Sequence, residues 1–172
     1  RVVMGDWIVP SHSSRAVCSA VTGQELGSVG GALDVSGMRN YAKTVGGPGM
    51  RALNFHDRAR MLKALALHLK LHRKALYELS FETGATLADS KIDIDGGIAT
   101  LLVYASKGRR EMPEGFILLD GELEILSRDG SFLGQHVYTP LLGVAVQINA
   151  FNFPVWGRLE KFAPSLLAGV PS

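Results

Sequence analysis

A near-continuous apolar run close to the end of the chain constrains the fold most strongly. Residues 143–148 read GVAVQI, with Gln147 as the one polar side chain. Strands that are buried on both faces of a parallel sheet have this composition, whereas strands with one solvent face alternate polar and apolar residues. The run therefore predicts a buried strand of an α/β fold.

A tight loop and an amphipathic helix follow that run. The loop is residues 149–152, NAFN, and Pro154 stands in the first turn of the helix, where a missing N–H costs little. Gly169 is the expected terminator of this helix. Strand, loop and helix together form the unit that binds nucleotides in many α/β proteins, although the GxGxxG fingerprint is absent here.

Three more helices are predicted upstream. Asp34 caps the first, and the glycine-rich residues 46–49 are expected to end it as a flexible joint. Asn54 caps the second, over 55–83, with a break expected near residues 71–72 because a longer helix is unusual. The third runs from about 89 to 106.

The rest of the chain is predicted as short strands and loops. Residues 1–33 contain short apolar pieces broken by Pro10, the cluster at 11–14 and a turn at 22–23. Residues 107–121 are predicted as a loop. Asp129-Gly130 lies between two strand-like runs, which predicts a β-hairpin that Pro140 closes.

Charge and cysteine content exclude several function classes. The chain has 172 residues, with 18 Lys plus Arg against 16 Asp plus Glu, so bulk electrostatics give no case for nucleic-acid binding. The single cysteine, Cys18, excludes an internal disulfide framework and a paired CxxC zinc site. We expect Cys18 to be a half-buried apolar residue, and the protein to be soluble and cytoplasmic, without a membrane span.

Two charged clusters allow more than one interpretation. Eight basic residues crowd 58–74, which suggests either a phosphate-binding face or, since stacking aromatics are lacking, a solvated helix surface. Asp89, Asp93 and Asp95 cluster in the first turns of the third helix. Asp89 and Asp93 share a face and could form a metal or acid/base pair, or the cluster could be carboxylates that the helix dipole favours. The adjacent Gly96-Gly97 pair suggests close packing, or close approach of another group to the backbone.

Asn152 is the strongest candidate for a catalytic residue. Its amide could donate a hydrogen bond to a carbonyl oxygen under attack, as in an oxyanion hole. Equally, it could cap the helix that Pro154 opens. The residue type does not separate the two.

Two extended motifs identify a family. Residues 143–154, GVAVQINAFNFP, and residues 161–169, KFAPSLLAG, resemble the NAD(P)-dependent aldehyde dehydrogenase superfamily. Most members carry proline where Ala150 stands. With GAT at 84–86, ADS at 88–90, DIDGGI at 93–98 and YAS at 104–106, the chain is similar to a narrower group, the aldehyde dehydrogenase domain of the bifunctional ring-opening enzyme of phenylacetate degradation.

The resemblance implies a set of roles for this chain. Asn152 would be the catalytic oxyanion stabiliser, and Ile148, Asn149, Ala150 and Phe151 would contact the nicotinamide half of NADP or NAD. It implies oxidation of a small-molecule aldehyde, CoA-linked in the subgroup, to the acid. It places the nucleophilic cysteine and the general-base glutamate downstream, so we expect an N-terminal fragment.

The resemblance also implies an organisation. We expect 1–121 to be the N-terminal helical segment of the cofactor domain, 122–140 an oligomerisation hairpin, and 141–172 the first strand-loop-helix of a Rossmann-like domain. The hairpin predicts a homo-oligomer. Lys161 is either part of a proton relay or an ordinary exposed lysine. One alternative to an oxidoreductase is a non-catalytic binding or assembly module. Another alternative is a CoA-acylating aldehyde dehydrogenase, which shares the fold but not the hydrolytic step.

Overall fold

A computed structural model describes residues 2–3, 7–8, 14–30 and 34–172, with the side chains from residue 15 onward. Helices dominate it, accompanied by three small antiparallel sheets of two strands each. The helices are α1 (Val35–Tyr41), α2 (Gly47–Arg51), α3 (Phe55–Phe81), α4 (Leu87–Arg110) and α5 (Pro154–Leu167). The strands are β1 (Val2–Val3), β2 (Trp7–Ile8), β3 (Ser14–Cys18), β4 (Glu25–Gly30), β5 (Leu118–Ile125) and β6 (Leu133–Tyr138).

The core lies between α3, α4 and α5. Each of the three helices buries one apolar stripe against the other two, which is how amphipathic helices stabilise a fold. The buried apolar residues are Phe55, Ala59, Leu62, Ala66, Ile94, Ile98, Leu101, Ala105, Leu159, Ala163, Leu166 and Leu167. Each helix in the described part of the chain is too short or too polar to span a lipid bilayer.

The predicted helix caps are confirmed. Asp34 Oδ1 accepts a hydrogen bond from the Gly37 N–H at 2.8 Å. Asn54 and Asp57 form a capping box, in which each side chain accepts from the backbone N–H of the other at 2.8 and 3.3 Å. Gly84 after α3 and Gly169 after α5 both have positive φ, of 86° and 81°, as C-terminal glycines do.

Two predicted interruptions of helices were wrong. α3 runs 27 residues without a break, because it contains no glycine or proline and packs along α4. The flexible joint at 46–49 is helical: a π-helical turn, Ala42–Gly46, joins α1 to α2. Pro48 lies in the first turn of α2, where its missing N–H removes no intrahelical bond.

α4 extends beyond the predicted bounds, so the loop predicted over 107–121 is shortened to 111–117. The last turn of α4 carries Lys107, Arg109 and Arg110, which the helix dipole favours at a C-terminus. Lys107 also contacts Glu111 at 3.0 Å.

The strand predictions in the first part of the chain are partly confirmed. β3 and β4 pair around the turn at 22–23, where Gly23 has φ 73°. Cys18, expected to be half-buried, is exposed, because it lies at the end of a two-stranded ribbon. Pro10 and the serine-rich residues 11–13 lie outside the described residues.

The predicted hairpin is confirmed, and it begins four residues earlier than expected. β5 pairs with β6, with Leu119 opposite Val137 and Ile125 opposite Leu133. The Asp129 carboxylate accepts hydrogen bonds from the Ser127 and Ser131 side chains, which lowers the pKa of Asp129 to about 2. These bonds hold the turn that Asp129-Gly130 predicted.

The strand predicted over 143–148 is not formed. None of the described strands pairs with this segment, and a single extended segment without a neighbour makes no ladder. Val146 is 83% exposed and Ile148 is 86% exposed, so the expected burial on both faces is also wrong. The Ala145 N–H donates to the carbonyl oxygen of Pro171 at 2.8 Å.

Glycines of α4 allow α5 to approach closely. A Cβ at Gly96 would lie 2.6 Å from the ring of Trp156, and one at Gly108 would lie 2.6 Å from Leu167. At Gly97 the nearest groups include the Trp156 backbone at 3.2 Å. The Gly96-Gly97 pair therefore serves the close packing that the sequence suggested.

Arg58 is buried, so the solvated-surface interpretation of the basic cluster is wrong for this residue. Its Nη1 donates to the carbonyl oxygens of Met50 and Leu53 at 3.2 and 2.9 Å, and its guanidinium lies 4.7 Å from the centre of the Phe55 ring. Burial lowers the pKa of Arg58. The other seven basic residues of this segment are exposed, as the solvated-surface interpretation requires.

Replacing Gly96 with alanine is expected to destabilise the chain by about 1–2 kcal/mol. Overpacking against Trp156 costs about 1–3 kcal/mol, and the better helix propensity of alanine returns up to about 1 kcal/mol. Urea denaturation would measure the change. The control is Gly157→Ala in α5, where the nearest atoms lie 3.9 Å from the added Cβ, and unchanged or increased stability is expected. Equal effects of both substitutions would contradict the packing argument.

Replacing Arg58 with alanine is expected to lower the free energy of unfolding by about 2–3 kcal/mol, because hydrogen bonds from a charged donor to the two carbonyls are lost. The matched control is Arg60→Ala, two residues along α3. Arg60 is exposed and pairs with Asp57 at the surface, so a loss below about 1 kcal/mol is expected. Thermal unfolding of the two variants would show no difference if Arg58 were merely another surface residue.

Candidate active site

Asn152 lies in the turn that leads into α5. Its side chain is exposed, and no hydrogen bond joins it to another described residue. The residue at the N-cap position is Phe153, which makes no side-chain capping bond. The capping interpretation of Asn152 is therefore wrong, and the amide is left accessible at the surface of the loop.

The four residues before Asn152 form the exposed loop that the resemblance assigned to cofactor contact. Ile148 is 86% exposed and Phe151 is 91% exposed, so both offer apolar surface. Asn149 is half-buried, and its Oδ1 accepts a hydrogen bond from Lys161 Nζ at 3.1 Å. Ala150 is exposed between them.

Lys161 ties α5 to this loop. Besides Asn149, its Nζ donates to the Gly157 carbonyl oxygen at 2.8 Å, and it lies 3.5 Å from a carboxylate oxygen of Glu160. Its side chain remains 44% exposed. The structure thus gives Lys161 a contact within the candidate site that an ordinary surface lysine would lack.

The first turn of α5 is held by Asp93 of α4. Asp93 is 3% exposed, its Oδ1 accepts from the Trp156 N–H at 2.7 Å, and its Oδ2 accepts from the Val155 N–H at 3.2 Å. A carboxylate at a helix N-terminus satisfies unpaired N–H donors and interacts favourably with the helix dipole. These two donors are therefore not available to a phosphate group.

The other two aspartates of the acidic cluster have separate partners. Asp89 lies in the first turn of its own helix, where its N–H donates to Thr86 Oγ1 at 3.2 Å and its Oδ2 accepts from the Thr86 hydroxyl at 2.6 Å. Asp95 accepts from the Tyr77 hydroxyl at 2.8 Å, and burial, together with this carboxylate, raises the pKa of Tyr77. The macrodipole interpretation suits Asp89, whereas Asp93 serves a different helix.

Within the described part of the chain, no three His, Cys, Asp or Glu side chains come together as metal ligands. Two open apolar cavities lie in the same part. One, of about 280 Å³, lies between the start of α3, the end of α5 and the base of the hairpin. The other, of about 370 Å³, lies between α3 and the first half of α5. Asn152 lines neither of them.

The sequence does not reveal that Asp93 contacts the helix that follows Asn152. It lies 59 positions before Asn152, and its partner donors are backbone groups, which no residue type reveals. The sequence carries only a weak signal: an aspartate nearly two turns into an amphipathic helix, three residues before a glycine pair that permits close approach of another element.

Residues 7–171 match the aldehyde dehydrogenase family. The chain therefore belongs to the aldehyde dehydrogenase family, as the motifs at 143–154 and 161–169 implied. Its mixed helices and small sheets are part of such a domain.

A relative of the chain is named as a dehydrogenase. The chain is 42% identical over 171 residues to the 3,4-dehydroadipyl-CoA semialdehyde dehydrogenase of Aromatoleum evansii. The match covers 98% of this chain and 33% of the relative. The chain thus spans about a third of the length of that relative.

Proposed function

We propose that this chain supplies the oxyanion-stabilising amide and part of the cofactor cleft of an NAD(P)-dependent aldehyde dehydrogenase. The reaction is oxidation of a CoA-linked semialdehyde of phenylacetate-type aromatic catabolism to the carboxylic acid. Family membership and the reaction named for the Aromatoleum relative support this proposal. The observation that carries it is the exposed Asn152 amide, at the start of a helix that other residues hold in place.

In this reaction the chain contributes a hydrogen-bond donor at a fixed position. A cysteine thiolate, which the resemblance places downstream, adds to the aldehyde carbon, and the carbonyl oxygen becomes an oxyanion. The Asn152 amide donates a hydrogen bond to that oxygen as its negative charge develops. Once the adduct has lost a hydride to the acceptor that a bound NAD or NADP would supply, it is a thioester, and attack by water releases the acid and regenerates the thiol.

The residues before Asn152 suit the nicotinamide half of NAD or NADP. Ile148 and Phe151 present apolar surface that a flat aromatic ring can cover, and the loop backbone offers groups that can bind a carboxamide. When bound, the cofactor supplies the hydride acceptor. The domain organisation proposed is a helical segment, the hairpin, whose first strand begins at Leu118, and a Rossmann-like unit that begins at 141.

The proposed role of Asn152 can be tested in a chimera. Residues 1–172 replace the matching third of the Aromatoleum relative, and the pre-steady-state formation of NAD(P)H from the semialdehyde is followed. Asn152→Ala is expected to lower the rate constant of this phase by about 10²–10³, because one oxyanion donor is worth about 2.7–4 kcal/mol.

The control variant is Asn40→Ala, which removes an exposed amide from α1 and should leave the rate unchanged. Residues 1–172 alone serve as the blank and should form no NAD(P)H. A lower melting temperature with an unchanged rate per folded molecule would show that Asn152 has only a structural role.

The hairpin supports a homo-oligomer. An isolated two-stranded ribbon is marginally stable, and β5 and β6 expose apolar side chains on a structure with little core of its own. Pairing with a second copy of the chain would cover them.

Ile125→Lys is therefore expected to shift the chimera toward monomer in sedimentation velocity, because a charge replaces an apolar side chain that is 70% exposed. Leu71→Lys on α3, at a position that is 82% exposed, should leave the distribution unchanged. An unmodified chimera that sediments as a monomer would disprove the oligomer.

A further inference from the structure

We propose that Asp93 is a positioning residue for the Asn152 loop. This inference rests on the proposed function, because it takes Asn152 as the group that contacts the reacting carbonyl. Asp93 would act through the start of α5 and would not touch substrate.

The first turn of α5 has two backbone N–H groups without an acceptor in their own helix, and Asp93 accepts a hydrogen bond from each. Pro154 has no N–H, and the Gly157 N–H already donates to the Phe153 carbonyl oxygen at 3.1 Å. The N–H groups of Val155 and Trp156 remain, and each donates to one oxygen of Asp93. With both oxygens engaged by the backbone, the carboxylate is placed to anchor the helix rather than to exchange protons with a substrate.

No side chain within the loop replaces this anchor. The N-cap residue, Phe153, has no acceptor group in its side chain, and α5 has no acidic residue in its first turn. The position of the helix start therefore depends on a carboxylate from another helix.

The packing next to Asp93 also holds the first turn of α5 in place. Gly96 lies three residues after Asp93 on α4, and the Trp156 ring lies so close to it that a methyl group would not fit. A Cβ at Gly97 would lie 3.2 Å from the Trp156 backbone. One turn of α4 thus holds the first turn of α5 by hydrogen bonds and by contact.

Asn152 lies between two fixed points. On the C-terminal side, Asp93 holds residues 155–156. On the N-terminal side, Lys161 holds Asn149 at 3.1 Å. Only residues 150–154 separate these points, so a shift of the α5 start changes where the Asn152 amide can point.

The test is a double-mutant cycle in the chimera. Asp93→Asn keeps the shape but removes the charge and one acceptor. We expect the rate constant of NAD(P)H formation to fall about 10–10²-fold, with KM for both substrates nearly unchanged, because displacement of a catalytic group by about 1 Å can cost this much. In the Asn152→Ala background, the same substitution should change the rate less than about twofold.

The matched control is Asp89→Asn, one turn earlier on α4. Asp89 is exposed and contacts only its own helix terminus, so its loss should leave the rate per folded molecule unchanged. Asp93→Glu keeps the carboxylate and should recover part of the rate. If Asp93→Asn does not fold, Asp93→Glu in both backgrounds gives the cycle.

A second measurement does not depend on activity. In the 172-residue chain, Asp93→Asn should speed hydrogen exchange of the Val155 and Trp156 amides at least about tenfold, and Asp89→Asn should not. Unchanged exchange at these amides would overturn the proposal.

The kinetic outcomes separate the two proposals. If Asn152→Ala leaves the rate unchanged, the proposed function fails whatever Asp93 does. If Asn152→Ala lowers the rate but the effects of the two substitutions multiply, only the role of Asp93 fails. A loss of stability with an unchanged rate for Asp93→Asn also overturns it.

Discussion

The contact between α4 and α5 determines where the candidate active site lies. Hydrogen bonds from the α5 backbone to Asp93 fix the N-terminal end of α5 relative to α4. Small residues of α4 bring the two helices close, and Leu159 and Leu167 of α5 are buried in the common core. An interface of this kind resists small displacements, because close-packed groups without voids have few alternative arrangements.

Features with a local cause could be predicted from the sequence. Asp34 and Asn54 cap helices because their side chains reach backbone N–H groups only three residues away. Asp129-Gly130 forms a turn through its own geometry, and Pro154 opens a helix because its φ is already helical. In each case the signal and its partner lie within one turn of each other.

Features whose partners lie beyond one turn of the chain could not be predicted. Arg58 belongs to a basic cluster in sequence, and only the placement of residues 50–53 makes it a buried donor. The role of Asp93 depends on a helix 62 positions further along the chain. The segment 143–148 has the composition of a buried strand, but a strand also requires a neighbour, and none of the described strands lies beside it.

The tie between Asp93 and α5 has a consequence for the order of folding. Val155 and Trp156, which donate to Asp93, lie 62 and 63 residues after it in the sequence, and the β5–β6 hairpin lies between them. Closing so large a loop has an entropic cost that local helices and hairpins avoid. We therefore expect helices α3 and α4 to associate first, as sequence neighbours, and α5 to dock on that pair afterwards. The loop that carries Asn152 is then among the last parts of the chain to become ordered, and a slow step there would delay function without delaying the bulk of the secondary structure.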